Sequence, residues 1–511
     1  MVWRLEDPCG NEAGKVKYEI VPYTRGKGVD LGCGPHKAFP HFIGVDNRID
    51  NKLFNIQFTP DVTVETCETL PYADGELDFV FSSHLLEHIV DFRGALKEWR
   101  RVLKVDGHLV LYLPHRDYYP NIGQPGANPD HKHDFTPDEV MHAACSHGGW
   151  DILLKENRNE RMEYSFLLVM RKRGDWQHNH VYLKKRPEKT VCVVRYGGFG
   201  DMIQCSAILP ELKRQGYHVT VMTTPKGQFV LEKDPHIDAW FIQDHDQVPN
   251  GELGQHFDAN ARRYDRFINL CESVEGSLLL LPGTTKHRWP KNMRHAVTNI
   301  NYSEATAMIA ELPFKKESKF YPNVAEEREA KLYGKRGFSI VWVTAGSSVH
   351  KFYPWMDTVI TRILAELEDT WVALVGDETG KILEQGWENE PRVAKTCGVL
   401  NIRQTLALAQ QCKCVIGPET GVLNAVAYEP NQKICMLSHS SEENLTKHWV
   451  NTVTLTGRTT CYPCHQLHYG NQYCNTHDET GAAMCQVTID PDDVFAAVAA
   501  EYRAWRVRMA A

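Results

Sequence analysis

Short apolar runs alternate with amphipathic stretches along this chain, and the alternation starts afresh twice. Up to Met170, the runs Gly28–Leu31, Ile43–Asp46, Leu77–Ser82, His108–Leu113 and Ser165–Met170 read as strands. Arg93–Leu103 reads as a helix, since Leu96, Trp99, Arg100 and Leu103 recur at helical spacing. Arg171–Lys189 is polar and basic and contains Gly174 and Pro187, the composition of a linker. The rhythm then resumes with strand Thr190–Arg195, helix Met202–Gln215 and strand His218–Met222, and continues through Val230–Trp240 and Arg266–Leu270. The charged segment Glu317–Gly337 leads to a third start at Ser339–Val343. Helix Thr358–Leu367, strand Trp371–Val375, helix Ile402–Gln410, strand Lys413–Ile416, helix Gly421–Ala427 and strand Lys433–Leu437 follow. Asp490–Arg506 closes the chain as an amphipathic helix with Val494, Val498 and Tyr502 on one stripe. Strands alternating with helices predict parallel sheets with crossover helices, so the fold class expected is α/β in three doubly wound units. The boundaries predicted are a first domain over 1–172, a linker over 173–189, two lobes over 190–330 and 331–489, and a terminal helix over 490–511.

Composition narrows the function classes. With 42% hydrophobic and 24% charged residues, the 511-residue chain has the make-up of a globular protein. A net charge of −8 argues against a general affinity for nucleic acid or membrane surfaces. No apolar run reaches the ~20 residues of a membrane helix, and Met1–Asn11 has no apolar core and carries Arg4, Glu6 and Asp7. A cytoplasmic location is therefore expected. Most of the 15 cysteines lie singly in apolar strands, as reduced thiols do.

The first candidate site is a glycine turn closing the first strand, Val29-Asp30-Leu31-Gly32-Cys33-Gly34. Glycine lets the backbone approach a ligand closely, and open α/β sheets bind ligands at strand carboxyl ends. The second strand ends in Asp46, an acid suited to a ribose hydroxyl pair. Leu70–Val80, Ser82–His88 and Arg101–Leu109 follow in order. Together these segments resemble the class I S-adenosylmethionine (SAM)-dependent methyltransferases of type 11, over about residues 26–170. The resemblance implies that Asp30, Gly32 and Gly34 form the SAM loop and that Asp46 holds the ribose. Thr66–Glu68 would lie near the adenine, with Ser82, Ser83 and His84 over the methionine end. Pro35–Phe42 is too short for the family's usual first helix. Methyl transfer to a hydroxyl needs a base. His131 and His133 are the candidates, with His115 and Asp134 nearby, in a segment resembling the lid of glycan methyltransferases. Thr136-Pro137-Asp138-Glu139 also reads as a plain helix cap, which would leave those histidines in a surface loop.

The second candidate site is Tyr196-Gly197-Gly198-Phe199-Gly200-Asp201-Met202-Ile203, a strand-to-helix loop whose Asp201 suits either an N-cap or a base. With Ala207–Lys213 it resembles the opening of the heptosyltransferases, glycosyltransferase family 9, and the resemblance spans about residues 190–510. It implies a GT-B fold with an acceptor lobe followed by a donor lobe. Asp201 would deprotonate the acceptor hydroxyl, with Gly198 and Gly200 shaping the loop. Lys351, in Thr344–Pro354 with Ser347 and Ser348, would meet the donor diphosphate, and Asp377 and Glu378 would approach its ribose. Glu419-Thr420-Gly421 resembles the family's Asp-Thr-Gly turn, with Glu419 for the usual aspartate and Asn424 for the usual histidine. Such a turn opening a helix presents backbone N–H groups to an anion. The implied reaction is inverting transfer from a nucleotide diphosphate sugar to a glycan acceptor of lipopolysaccharide or capsule type. No metal is implied, because no Asp-x-Asp stands at a strand end.

Cys461, Cys464, Cys474 and Cys485 cluster late in the chain, and a structural zinc site, a disulfide or reduced packing thiols all suit that spacing. Two rival readings of the whole remain. One is sugar or methyl addition to a non-glycan acceptor such as modified viral DNA bases. The other is a glycosyltransferase carrying a SAM-fold module without catalysis.

Overall fold

The computed structural model describes residues 11–48, 50–51, 56–160, 163–174, 187–271, 285–334, 337–346, 348, 351–468 and 474–510. Contacts divide the chain into two compact units, Met1–Glu188 with Ile242–Arg263, and Lys189–Phe241 with Tyr264–Ala511.

The first unit is built on a seven-stranded sheet. Its strands are β1 (Gly28–Leu31), β2 (Ile43–Asp46), β3 (Val62–Thr63), β4 (Leu77–Ser83), β5 (Leu103–Pro114), β6 (Trp150–Arg158) and β7 (Ser165–Lys172). They lie in the order β3-β2-β1-β4-β5-β7-β6. Neighbours from β3 to β5 run parallel, and β7 runs antiparallel to both β5 and β6. Every residue of β1 is buried, as expected of a parallel strand covered on both faces. The order reverses at β1, which puts the ends of β1 and β4 at the switch point where such sheets bind ligands.

Helix α1 (Phe92–Val102) starts at Asp91, whose side chain accepts from the Gly94 N–H, and ends on Arg100 and Arg101. It buries Ala95, Leu96, Trp99 and Val102, and Trp99 Nε1 donates to the Cys67 carbonyl at 2.8 Å. Helix α2 (Pro137–Cys145) has the Thr136 cap and first-position Pro137 read from the sequence, and the structure adds a capping box: the Thr136 side chain accepts the Glu139 N–H and the Glu139 carboxylate accepts the Thr136 N–H. Residues 35–42 between β1 and β2 form turns and contain no helix.

The segment Ile242–Arg263 was expected within the lobe over 190–330, but its contacts are with the first unit. Its helix, Leu253–Ala261, is preceded by Glu252, which accepts from Lys17 Nζ and Tyr18 Oη, each at 2.9 Å. Buried Gln247 donates to the Val21 carbonyl at 2.8 Å, and Arg263 pairs with Glu19 at 3.0 Å. Such side-chain pairs between distant segments leave no periodic trace in a sequence.

The second unit holds two sheets. The first contains β8 (Thr190–Val194), β9 (His218–Thr223), β10 (Ala239–Ile242) and β11 (Arg266–Asn269), in the order β10-β9-β8-β11. The second contains β12 (Phe338–Val343), β13 (Thr370–Val375), β14 (Val393–Lys395), β15 (Cys414–Pro418), β16 (Gln432–Leu437) and β17 (Thr452–Thr456), in the order β14-β13-β12-β15-β16-β17, parallel throughout. One apolar cluster runs from Val191 and Val193 of β8 to Val341 and Val343 of β12. The helix expected over Met202–Gln215 is interrupted: α3 (Phe199–Cys205) passes through a 3-10 turn into Leu209–Arg214. Pro210, which has no N–H to donate, stands at the restart. Among the helices of this unit are α4 (Met356–Glu366), α5 (Ile402–Gln411), α6 (Gly421–Ala425) and α7 (Pro491–Ala510), and α6 is shorter than expected.

Candidate functional site

In the first unit a cavity of about 550 Å³ opens at the ends of β1, β2 and β4. Asp30, Gly32, Gly34, Asp46, Thr66–Glu68 and Ser83 line it, together with Glu12, His84 and His88. The turn after β1 needs its glycines, because Gly32 and Gly34 take φ of +69° and +52°. Asp46 braces that turn: its two oxygens accept the Gly34 and Arg48 N–H groups, both at 2.9 Å. Asp30 is buried and accepts the Ala38 N–H at 2.8 Å. Burial pushes its carboxyl up to about 7, against the downward pull of the Ala38 N–H and of Lys37. Ser83 lines the cavity, whereas Ser82 is fully buried and absent from the lining. His131 and His133 are not lining residues either. His131 is buried with Nε2 3.9 Å from Glu87 Oε1. His133 stacks on Phe135 and has Nε2 3.2 Å from the Val90 carbonyl oxygen.

Sequence reasoning did not single out Glu12, Glu87 or His88. Glu87 and His88 sit in a 3-10 turn just after β4. A charged pair directly after an apolar strand was the available signal.

In the second unit the expected residues gather around two facing turns. Gly198 caps α3, and Asp201 in its first turn accepts the Gly198 N–H at 2.7 Å. The other Asp201 oxygen lies 2.8 Å from the guanidinium of Arg195, which is buried. The N-cap expected at Asp201 is instead Gly198; Asp201 stands at the third helical position, where its carboxylate accepts the cap's N–H and is held in place by the Arg195 cation. Gly200 lies against α6. A Cβ on Gly421 would stand 2.8 Å from Gly200 N, and one on Gly200 would stand 2.7 Å from Asn424 Nδ2. Lys351 is buried and donates from Nζ to the Glu419 carbonyl at 2.8 Å. Ser348 is buried beside it and accepts the Lys351 N–H at 3.0 Å.

Glu419 is buried, and its Oε1 accepts from Ser438 and from the His439 N–H at 3.0 Å. Burial alone would raise its carboxyl, but His439, Lys351 and the Ser438 hydroxyl hold it down at about 2. Glu419 Oε2 and Thr420 Oγ1 are buried without a hydrogen-bond partner among the described residues. Asp377 and Glu378 follow β13 and are engaged locally. Asp377 caps the next turn through the Thr379 and Gly380 N–H groups at 3.0 and 3.2 Å, and Glu378 pairs with Lys381 at 2.6 Å. Ser347 lies outside the described residues.

Of the three states open to Cys461, Cys464, Cys474 and Cys485, a disulfide is not formed, and the four thiols lie within electrostatic reach of one another. All four are free thiols, and burial pushes Cys464 up to about 12 and raises Cys474 and Cys485 as well. Three of their sulfurs do not come within 4.8 Å of one another, whereas the ligand atoms of Glu87, His88 and His131 do.

The class defined here is an α/β protein joining a unit with a largely parallel seven-stranded sheet, its cavity at the switch point, to a unit holding a four-stranded and a six-stranded sheet with crossover helices. Residues 29–111, within the first unit, match the family model described as a methyltransferase domain. The chain is 35% identical over 104 residues to an uncharacterized 37.1 kDa protein in transposon TN4556 of Streptomyces fradiae, covering 17% of this chain and 30% of that protein. Among solved structures, it is similar to the ADP-heptose lipopolysaccharide heptosyltransferase II of E. coli. That match has 13% identity and a TM-score of 0.44, and covers 62% of this chain and 99% of that one. It is also similar to an S-adenosylmethionine-dependent methyltransferase of Mesorhizobium loti, with 18% identity, a TM-score of 0.26, and 32% of this chain and 100% of that one covered.

Proposed function

We propose that the chain is a double transferase. In this reading the first unit methylates a hydroxyl using SAM, and the second moves a sugar from a nucleotide diphosphate sugar to a glycan acceptor. The observation that carries the first half is the cavity whose glycine turn, Asp46 brace and Thr66–Glu68 wall lie within or beside the matched methyltransferase domain. The residues suit the cofactor: Gly32 and Gly34 leave the turn open, and Asp46 keeps lone pairs for a ribose while bracing the turn. Bound SAM supplies an electrophilic methyl group; the protein's part is to orient the acceptor oxygen, exclude water and take the hydroxyl proton.

For the second half the carrying observation is one cluster in which Asp201, the Gly200–Gly421 apposition, Thr420 and Lys351 meet. Asp201 would accept the acceptor proton as the acceptor oxygen attacks the anomeric carbon. Configuration inverts, and the nucleoside diphosphate departs on the opposite face. Arg195 holds the Asp201 carboxylate in place. The unpartnered Thr420 hydroxyl and the Lys351 ammonium would meet the charge that develops on the diphosphate. The five residues of α6 are too few for a strong helix dipole, so this reading assigns anion binding mainly to those side chains and to turn N–H groups. No metal ion enters the sugar transfer in this reading.

The test is a thermal-shift screen with nucleotide sugars and SAM, followed by turnover of Asp201→Asn. Protection by a nucleotide sugar together with loss of transfer in the variant is expected. Full turnover by Asp201→Asn removes it as the base. A second reading, a SAM-fold module without methyl transfer, draws on the missing helix between β1 and β2; SAM binding without any methylated product would favour it.

A further inference from the structure

Beside the cavity of the first unit, two chain segments bring a carboxylate and three imidazoles together. Glu87 is 0% exposed, and neither of its oxygens has a hydrogen-bond partner among the described residues. His84 Nδ1, His88 Nε2 and His131 Nε2 lie 3.8, 3.9 and 3.9 Å from Glu87 Oε1, too far for hydrogen bonds. The ligand atoms of Glu87, His88 and His131 lie within 4.8 Å of one another. A buried carboxyl with no partner is costly, by about 1–3 kcal/mol or more. A proton would remove the charge but would leave the new O–H without an acceptor at hydrogen-bond distance among the described residues.

We infer that Glu87, His88 and His131 bind a divalent first-row transition ion, with His84 as a further ligand or close neighbour. The donor set of imidazole nitrogens and one carboxylate oxygen suits such ions. Ligands about 2.1 Å from an ion in tetrahedral array stand roughly 3.4 Å apart, so the observed 3.9 Å separations need to close by only about half an ångström. The backbone already holds the segments together, since the Lys132 and His133 N–H groups donate to the Glu87 carbonyl at 2.8 and 3.2 Å. His84 stands at φ of +51°, a conformation a side-chain-bearing residue adopts at a cost. The carboxylate and histidines that face Glu87 from every packed element are Glu12, His84, His88 and His131.

The site opens to the cavity through His84 and His88, which line it. This rests on the methyltransferase reading. There the ion would take one or two oxygens of a hydroxyl-bearing acceptor and lower the pKa of the oxygen to be methylated. In the balanced step the acceptor O–H proton passes to solvent or to a nearby base, the O–CH₃ bond forms, and the S–CH₃ bond of SAM breaks with the electron pair staying on sulfur. The acceptor class this selects is a sugar or polyol with neighbouring oxygens.

The experiment titrates Mn²⁺ into chelator-stripped full-length protein by calorimetry and electron paramagnetic resonance. Mn²⁺ is chosen because the C-terminal thiols would compete for Zn²⁺. One site per chain is expected, with affinity at least 10-fold weaker in His131→Ala and in His88→Ala. Glu87→Gln should abolish binding, and circular dichroism of all three variants checks folding. No saturable site, or unchanged affinity in both histidine variants, overturns the metal assignment. SAM binding is measured separately on the stripped protein. If SAM fails to bind while Mn²⁺ does, the methyltransferase reading falls and the metal site stands. If SAM binds and methyl transfer ignores both chelator and variants, the acceptor-holding role is overturned.

Discussion

Replacing Gly421 with alanine tests the apposition on which the sugar-transfer reading depends. The new Cβ would stand 2.8 Å from Gly200 N, 3.2 Å from Gly200 Cα and 3.3 Å from the Phe199 carbonyl carbon. All three are backbone atoms, so no side chain can swing aside and one turn must retreat. Overpacking of this kind costs about 1–3 kcal/mol. Alanine in a helix returns up to about 1 kcal/mol over glycine, and Gly421 opens α6 without a positive φ. The net expectation is a loss of roughly 1–2 kcal/mol, read as a lowered midpoint in urea unfolding or calorimetry, together with weakened protection by nucleotide sugar. Gly254→Ala is the control, since nothing lies within 4 Å of its added Cβ, and it should leave stability unchanged or slightly raised. A Gly421→Ala protein as stable as the parent, with nucleotide-sugar protection intact, would refute the close approach of the two turns.

Three further outcomes are expected. Arg403→Met should destabilise by about 3–5 kcal/mol in chemical denaturation, because it strands buried Glu326, which takes Arg403 bonds at 2.8 and 2.9 Å, and frees the Val230 and Tyr321 carbonyls. Stability should fall as pH rises from about 4 to about 7, since Asp30 keeps its proton in the folded state to about 7 while the unfolded chain ionises it near 3.8. The slope is about 1.4 kcal/mol per pH unit from this group, levelling above 7, and Asp30→Asn should flatten it; coincident pH profiles would contradict the argument. Asp46→Ala removes the acceptor for the Gly34 and Arg48 N–H groups and should weaken SAM binding about 10-fold or more by calorimetry.

Local rules carried much of this protein in its sequence. Four-residue apolar runs ending in Gly32 or Asp46 marked β1 and β2 together with the turn that follows them, because a buried parallel strand and a tight turn each leave a short contiguous signature. The Thr136 helix cap was legible for the same reason, since its partners lie within three residues. Tertiary structure alone decided what depends on segments distant along the chain. It assigned Ile242–Arg263 to the first unit through Glu252, Gln247 and Arg263. It set Arg195 against Asp201, so that one carboxylate both accepts the N–H of the cap residue Gly198 and forms half of an ion pair. It gathered the ligand atoms of Glu87, His88 and His131 into one cluster within 4.8 Å. Periodicity fixes which face of an element is buried, but which distant side chains share that burial is fixed only when the sheets pack and low dielectric makes each pairing, or missing partner, count.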